Sequence, residues 1–178
     1  LKENGYNAIR SAHNPCSKDL LNACDELGML MMDEYVDMWY IHKTMYDYAD
    51  YVADWYEQDI ADMIDKDYNH PCVVYYTLFN EGWGQFSADK CYKHFKGLDN
   101  SRIFDTASGW FLPKLSDVKS EHIYFKKIKL KADENLPLVL SEFGGYTWKP
   151  EGHVYNTDKT YGYGGYSTRE EFVAALRS

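Results

Sequence analysis

The sequence of 178 residues has no excess of basic side chains. Its 19 Lys and Arg stand against 28 Asp and Glu, a formal net charge of −9. Such a surface attracts neither phosphate backbones nor anionic headgroups, which argues against nucleic acid and membrane as partners. No apolar run approaches the roughly 20 residues that a spanning helix needs, and no signal peptide is visible. The 4 cysteines form no Cys-x-x-Cys pair and no Cys/His cluster of zinc spacing. Cys16, Cys24, Cys72 and Cys91 therefore read as free structural thiols of a reducing, cytoplasmic compartment. Internal repeats and low-complexity tracts are missing too. With 45% apolar and 26% charged residues, the chain is neither disordered nor a membrane chain, and its length suits one compact domain. What is abundant is aromatic: 17% of residues, including 17 Tyr and 5 Trp. Such rings pack cores, and they also line sites for hydroxylated ligands such as sugars; composition leaves both open.

Six short apolar runs bounded by turn residues predict buried strands at Tyr6–Ser11, Met29–Asp33, Cys72–Phe79, Ile103–Thr106, His122–Phe125 and Leu138–Ser141. Helical patterns lie between them. Ser17 is placed to N-cap a helix carrying Leu20, Leu21, Cys24 and Leu27, stopped by Gly28. Tyr48–Asp67 sets Val52, Trp55, Tyr56, Ile60, Met63 and Ile64 on one stripe, a third helix starts near Ser87, and Thr168-x-x-Glu171 has capping-box spacing. Strand and helix in alternation predict an α/β fold with a parallel sheet. The segment Tyr146–Tyr166, rich in Gly, Tyr and Lys, reads as a long surface loop. The opening Leu1-Lys-Glu-Asn-Gly5 reads as the last turn of a helix with Gly5 as its stop, and with no initiator Met the sequence reads as cut from something longer.

Chemically capable residues recur just past the strand ends: His13 and Asn14, Asp33 and Glu34, Asn80 and Glu81, Asp105, Tyr124, and Glu142. Singly, each fits a helix cap or a solvated loop; together they fit the C-terminal face of a (β/α) barrel, where active sites are assembled from several strands. Glu81 and Glu142 each end an apolar strand and are followed by glycine. Two carboxyl groups in different environments meet the requirement of acid-assisted glycosidic cleavage, and a separation near 5 Å makes one of them a nucleophile.

These residues bring a resemblance into view. Gly5-Tyr-Asn-Ala-Ile-Arg-Ser-Ala-His-Asn-Pro15, Cys24-Asp-Glu-Leu-Gly28, Met32-Asp-Glu-Tyr-Val-Asp-Met-Trp39, His70-Pro71, Asn80-Glu81 and Ser141-Glu-Phe-Gly144 follow the order found in the catalytic (β/α)8 TIM barrel of glycoside hydrolase family 2. The sequence resembles that domain over most of residues 1–150. The resemblance implies a partial barrel across 1–178, spanning barrel strands 2 to 7, and a retaining exo-β-glycosidase, most simply a β-galactosidase. It implies Glu81 as general acid/base, Glu142 as nucleophile, Asn80 on the sugar 2-hydroxyl, His13 as a sugar-side histidine, and Asp33 or Glu34 as the acid of the third barrel strand. It also suggests Tyr124 as the hydrogen-bond partner of the nucleophile, a core tyrosine being the other reading.

Trp148, six residues after Glu142, is placed for a sugar platform or as a loop aromatic over the barrel mouth; Trp39 and Trp83 also follow strand ends. The family sometimes uses Mg²⁺ or Na⁺, but no oxygen-rich cluster is evident, so no metal or other cofactor is expected. The expected partner is a carbohydrate, and the open edges of an incomplete barrel favour a homo-oligomer. Other readings are a β-glucuronidase or β-mannosidase, a sugar-binding fragment without turnover, and a metal enzyme using Asp33, Glu34 and His13.

Overall fold

The computed structural model describes residues 1–82, 84–111 and 113–177. Six strands form in the expected order, all in parallel pairings, the fifth running over Lys119–Ile123 where His122–Phe125 was expected. β1 (Ala8–Arg10), β2 (Leu30–Glu34), β3 (Val73–Thr77) and β4 (Ile103–Asp105) make one sheet in that order; β5 (Lys119–Ile123) and β6 (Leu138–Phe143) make a second. The helices α1 (Lys18–Leu27), α2 (Ala49–Asp67) and α3 (Ala88–Leu98) alternate with the strands. This is a partial (β/α) barrel. The two sheets are stitched by the chain between them: Asp117 N donates to Phe104 O at 3.0 Å, and Phe104 N donates to Asp117 Oδ2 at 2.9 Å.

Local signals explain the helix ends. Ser17 Oγ accepts from Leu20 N at 3.2 Å, and Gly28 closes α1 at φ 66, where a side chain would be strained. A helix of ten residues is marginal alone in water, so its persistence rests on packing, here through Leu21 and Cys24. The last helix, α4 (Arg169–Arg177), opens with a complete capping box: Glu171 N donates to Thr168 Oγ1, and Thr168 N donates to Glu171 Oε2.

Two expectations need correction. Trp55 is 54% exposed, so α2 buries the narrower set Val52, Ile60, Met63 and Ile64. The Tyr146–Tyr166 segment is also not loop throughout. Its ends are β7 (Tyr146–Trp148) and β8 (Gly164–Tyr166), paired in parallel and packed against α4. Glycines hid β8, because Gly164 and Gly165 have no β-propensity to read, and β7 is only three residues long, too short to show a period.

The two faces of the first sheet have different chemistry. Met31, Tyr76 and Phe104 turn to the helices and join the apolar core with Leu21, Ile60 and Phe95. Burying each such side chain contributes about 1.5–3 kcal/mol. The opposite face carries Arg10, Glu34, Tyr75 and Asp105, with Tyr75 donating to Asp105 at 2.8 Å. Burial pushes the Asp105 carboxyl up despite the bonds from Tyr75 and Ser120. The interior of this barrel is polar, and at its C-terminal end the polarity becomes a site.

Candidate active site

Glu81 follows β3 and Glu142 lies near the end of β6, and a carboxylate oxygen of one lies within 4.8 Å of a carboxylate oxygen of the other. Glu81 follows β3 in a left-handed conformation, φ 53, with Gly82 at φ 78 behind it. That backbone is unfavourable for a residue with a Cβ, and it is held by Glu81 N donating to Ser108 O at 2.8 Å. Asn80 is buried and bridges to Ser108 in the same stretch.

Glu142 is gripped on both oxygens. The Arg10 guanidinium donates to Oε1 and the Tyr124 hydroxyl to Oε2. Arg10 also pairs with Glu34 Oε2 at 2.8 Å and donates to Asn80 Oδ1 at 3.1 Å. Burial works against its charge, but Glu34 and Glu142 outweigh that and raise its pKa. Burial, with the bond to Glu142, holds the Tyr124 proton well above the ordinary phenol range. A donor on each oxygen fixes the carboxylate plane, which an attacking group requires.

His13 lies with its Nδ1 3.0 Å from Glu34, 3.9 Å from Asp37 and 4.0 Å from Glu142. Burial lowers its pKa, but Glu34, Asp37 and Glu142 raise it further, so the net shift is upward. His122, a residue the strand-end rule passes over, has Nδ1 2.6 Å from Glu81 Oε1 and Nε2 3.7 Å from Glu142 Oε1.

The sequence-predicted residues thus divide. Glu81, Glu142, Asn80, His13 and Tyr124 come together. Asp33 does not join them, because alternation along β2 turns it the other way. It accepts from Ser11 Oγ at 2.7 Å, from Cys16 N at 2.9 Å and from Lys66 at 3.0 Å, and Glu34 takes the place facing Arg10 and His13. Trp148 stands in β7 with its ring 6.0 Å from Phe172 of α4, and no contact among the described residues ties it to the carboxylates. Trp39 is 1% exposed and stacked on Phe79 at 4.0 Å, a core residue and not a platform. Trp83 lies outside the described residues.

Other rings frame the pair. Trp110, 64% exposed, donates from Nε1 to His122 O at 3.4 Å, and Tyr163 lies 4.5 Å from the Tyr124 ring. Trp110 follows β4 and was findable by the same strand-end rule; Tyr163 was not, because only the β7–β8 pairing brings it back. Arg10 had a signal as well: a cation inside an apolar strand must find a buried anion. A cavity of about 450 Å³ opens beside Tyr124 and Tyr163. A larger one of about 550 Å³, between Tyr35, Tyr48 and Met63, lies away from the carboxylates.

Two side-chain groups have metal-ligand proximity: Glu81, His122 and Glu142, and Asp25, His70 and Cys72. In the first, the Arg10 guanidinium already supplies the positive charge beside Glu142. In the second, burial and Asp25 push the Cys72 thiol up to about 12, so it stays protonated. Asp25 there serves as a tie, accepting from Cys72 N at 2.8 Å and meeting His70 Nδ1 at 2.6 Å. No helix of the described residues is long and apolar enough to cross a membrane.

Residues 1–154 match the family model described as "Glycosyl hydrolases family 2, TIM barrel domain". A beta-galactosidase of Bacteroides ovatus is 47% identical over 90 residues, 51% of this chain and 11% of that protein. A beta-glycosidase structure from Bacteroides vulgatus matches with TM-score 0.56 and 35% identity, covering 58% of this chain and 14% of its own. A beta-D-glucuronidase structure from Dictyoglomus thermophilum covers 99% of this chain and 35% of its own at TM-score 0.69; at 17% identity it bears on the fold alone. The chain thus spans about a tenth of the length of the Bacteroides ovatus relative.

Proposed function

The chain belongs to glycosyl hydrolase family 2, and from that premise we propose that it carries the catalytic pair of a retaining exo-β-glycosidase acting on terminal β-D-galactosides. The observation behind this reading is the approach of Glu81 and Glu142, with carboxylate oxygens within 4.8 Å. Retaining glycosidases hold their carboxyl groups about 5–5.5 Å apart, whereas inverting ones leave about 6.5–9.5 Å for a water molecule. A pair this close leaves no room for that water.

The roles follow from the surroundings. Glu142, oriented by Arg10 and Tyr124, attacks the anomeric carbon to form the glycosyl ester. Glu81 protonates the departing oxygen, then takes a proton from the water that cleaves the ester. The Oδ1 of Asn80 is engaged by Arg10, which presents its amide nitrogen to the sugar 2-hydroxyl. His13 and Glu34 stand beside the nucleophile as a hydroxyl-binding pair. The galactoside preference is supported by the Bacteroides ovatus relative, whose printed name is beta-galactosidase.

Rates on a panel of nitrophenyl β-glycosides, measured on the natural polypeptide that carries these residues, test the sugar. A galactoside optimum is expected; a glucuronide or mannoside optimum replaces the substrate and keeps the chemistry. A 2-fluoro glycoside is expected to label Glu142, and Glu142→Gln to lose at least about 10³-fold in kcat, as removal of a nucleophile does. Label on a different carboxylate would overturn the assignment.

A further inference from the structure

His122 is buried at both ring nitrogens, with a side chain 0% exposed, and a polar ring in that position must be paired. Its Nδ1 lies 2.6 Å from Glu81 Oε1, and its Nε2 lies 3.0 Å from Ser108 Oγ. The ring is also clamped sterically. A Cβ added to Gly109 would lie 2.6 Å from Nδ1 and 2.7 Å from Cγ, so only bare backbone leaves the imidazole its place. Ser108 meanwhile accepts at its carbonyl from the backbone N of Glu81. One short segment, Ser108-Gly109, therefore fixes both the strained backbone of Glu81 and the ring that meets its carboxyl group.

We propose that His122 is the positioning residue of Glu81, its ring held with Nδ1 on Glu81 Oε1 and Nε2 on Ser108 Oγ. The inference rests on the acid/base reading of Glu81. Ser108 Oγ gives its one proton to Ser141 Oγ at 2.9 Å, which leaves it an acceptor toward the ring. The contact with Nδ1 occupies Oε1 of Glu81 and so decides which carboxyl oxygen exchanges a proton. In the first step that proton goes to the departing oxygen as Glu142 bonds the anomeric carbon. In the second it returns from water as the ester breaks.

The test uses the natural polypeptide and a series of aryl β-glycosides graded in leaving-group acidity. Good leaving groups need no acid and poor ones do. His122→Leu is expected to lower kcat/KM about 100-fold on a phenyl glycoside and less than about 5-fold on a dinitrophenyl glycoside, with the alkaline limb of the pH profile displaced. His122→Asn, whose amide nitrogen can stand where Nδ1 stood, is expected to restore most of the loss. Gly109→Ala should reproduce the leaving-group dependence by displacing the ring.

Equal losses across the series with an unmoved pH profile, or no rescue by Asn, would overturn the proposal. A wild type inactive on every glycoside would instead refute the functional reading. The histidine is then decided by long-range ¹H–¹⁵N correlation of its ring. An Nδ1 resonance that moves in Glu81→Gln supports the proposal, and one that the substitution leaves in place refutes it.

Discussion

Replacing Arg10 with methionine keeps the aliphatic stem and removes the guanidinium, and it should be among the most damaging single changes in this chain. Arg10 is 9% exposed at its side chain and pairs with Glu34, which is 1% exposed. Removing one partner of a buried ion pair costs about 3–5 kcal/mol, since the other charge is stranded away from water. Two features place the expected loss at the lower end. His13 stays 3.0 Å from Glu34, and Glu142, at 19% exposed, can be partly rehydrated. We therefore expect a loss of about 3 kcal/mol. With a urea slope of about 2 kcal/mol/M, the unfolding midpoint of the chain should fall by about 1.5 M. Glu34→Gln in the Arg10→Met background removes the stranded charge and should return about 2 kcal/mol. A single-variant loss under about 1 kcal/mol, or strictly additive losses in the double variant, would refute the argument that this pair is a desolvated unit.

Further outcomes are expected elsewhere. Burial and the neighbouring Asp33 push the Asp67 carboxyl up to about 7, against the opposing pull of Lys66. Asp67 thus binds its proton more tightly folded than unfolded. Its contribution to stability is present below about pH 4 and lost as pH rises toward 7, whereas that of Asp33, held below the usual carboxylate range, is lost as pH falls. Asp67→Asn should flatten the decline between pH 4 and 7 in urea midpoints; an unchanged slope counts against the shift. Trp39→Ala, which empties a site among Tyr35, Tyr56, Phe79 and Phe86, should cost about 3–5 kcal/mol in the same assay. Ser17→Ala removes the cap of α1 and should cost about 1 kcal/mol, visible as a midpoint shift of roughly half a molar.

The alternation of apolar runs and capped helices is enough to read six parallel strands and their helices, because burial and capping are local and leave a period in the sequence. Strand ends were equally legible: Glu81, Glu142, Asn80 and His13 are named by position alone, since a parallel barrel delivers such residues to one rim. What alternation could not settle was the facing of residues beside a bulge. Register shifts between Met31 and Met32, and the choice between Asp33 and Glu34 depends on the strand's exact phase. Tryptophans misled for a related reason. Trp39 and Trp148 follow strand ends as a sugar platform would, yet apolar rings go wherever packing places them, and here they meet Phe79 and Phe172.

By itself, then, the sequence determined the order of the first six strands and their helices, the helix stop at Gly28 and the two acids at the ends of the third and sixth strands. Only the tertiary structure decided which charges share one buried space. Arg10, Tyr124 and Glu142 are separated by more than a hundred positions at the widest, and His122 reaches Glu81 across 41. Those contacts exist because the interior of the partial barrel excludes water. Each ionised or polar group there must find a partner on another strand, and no local pattern encodes which one.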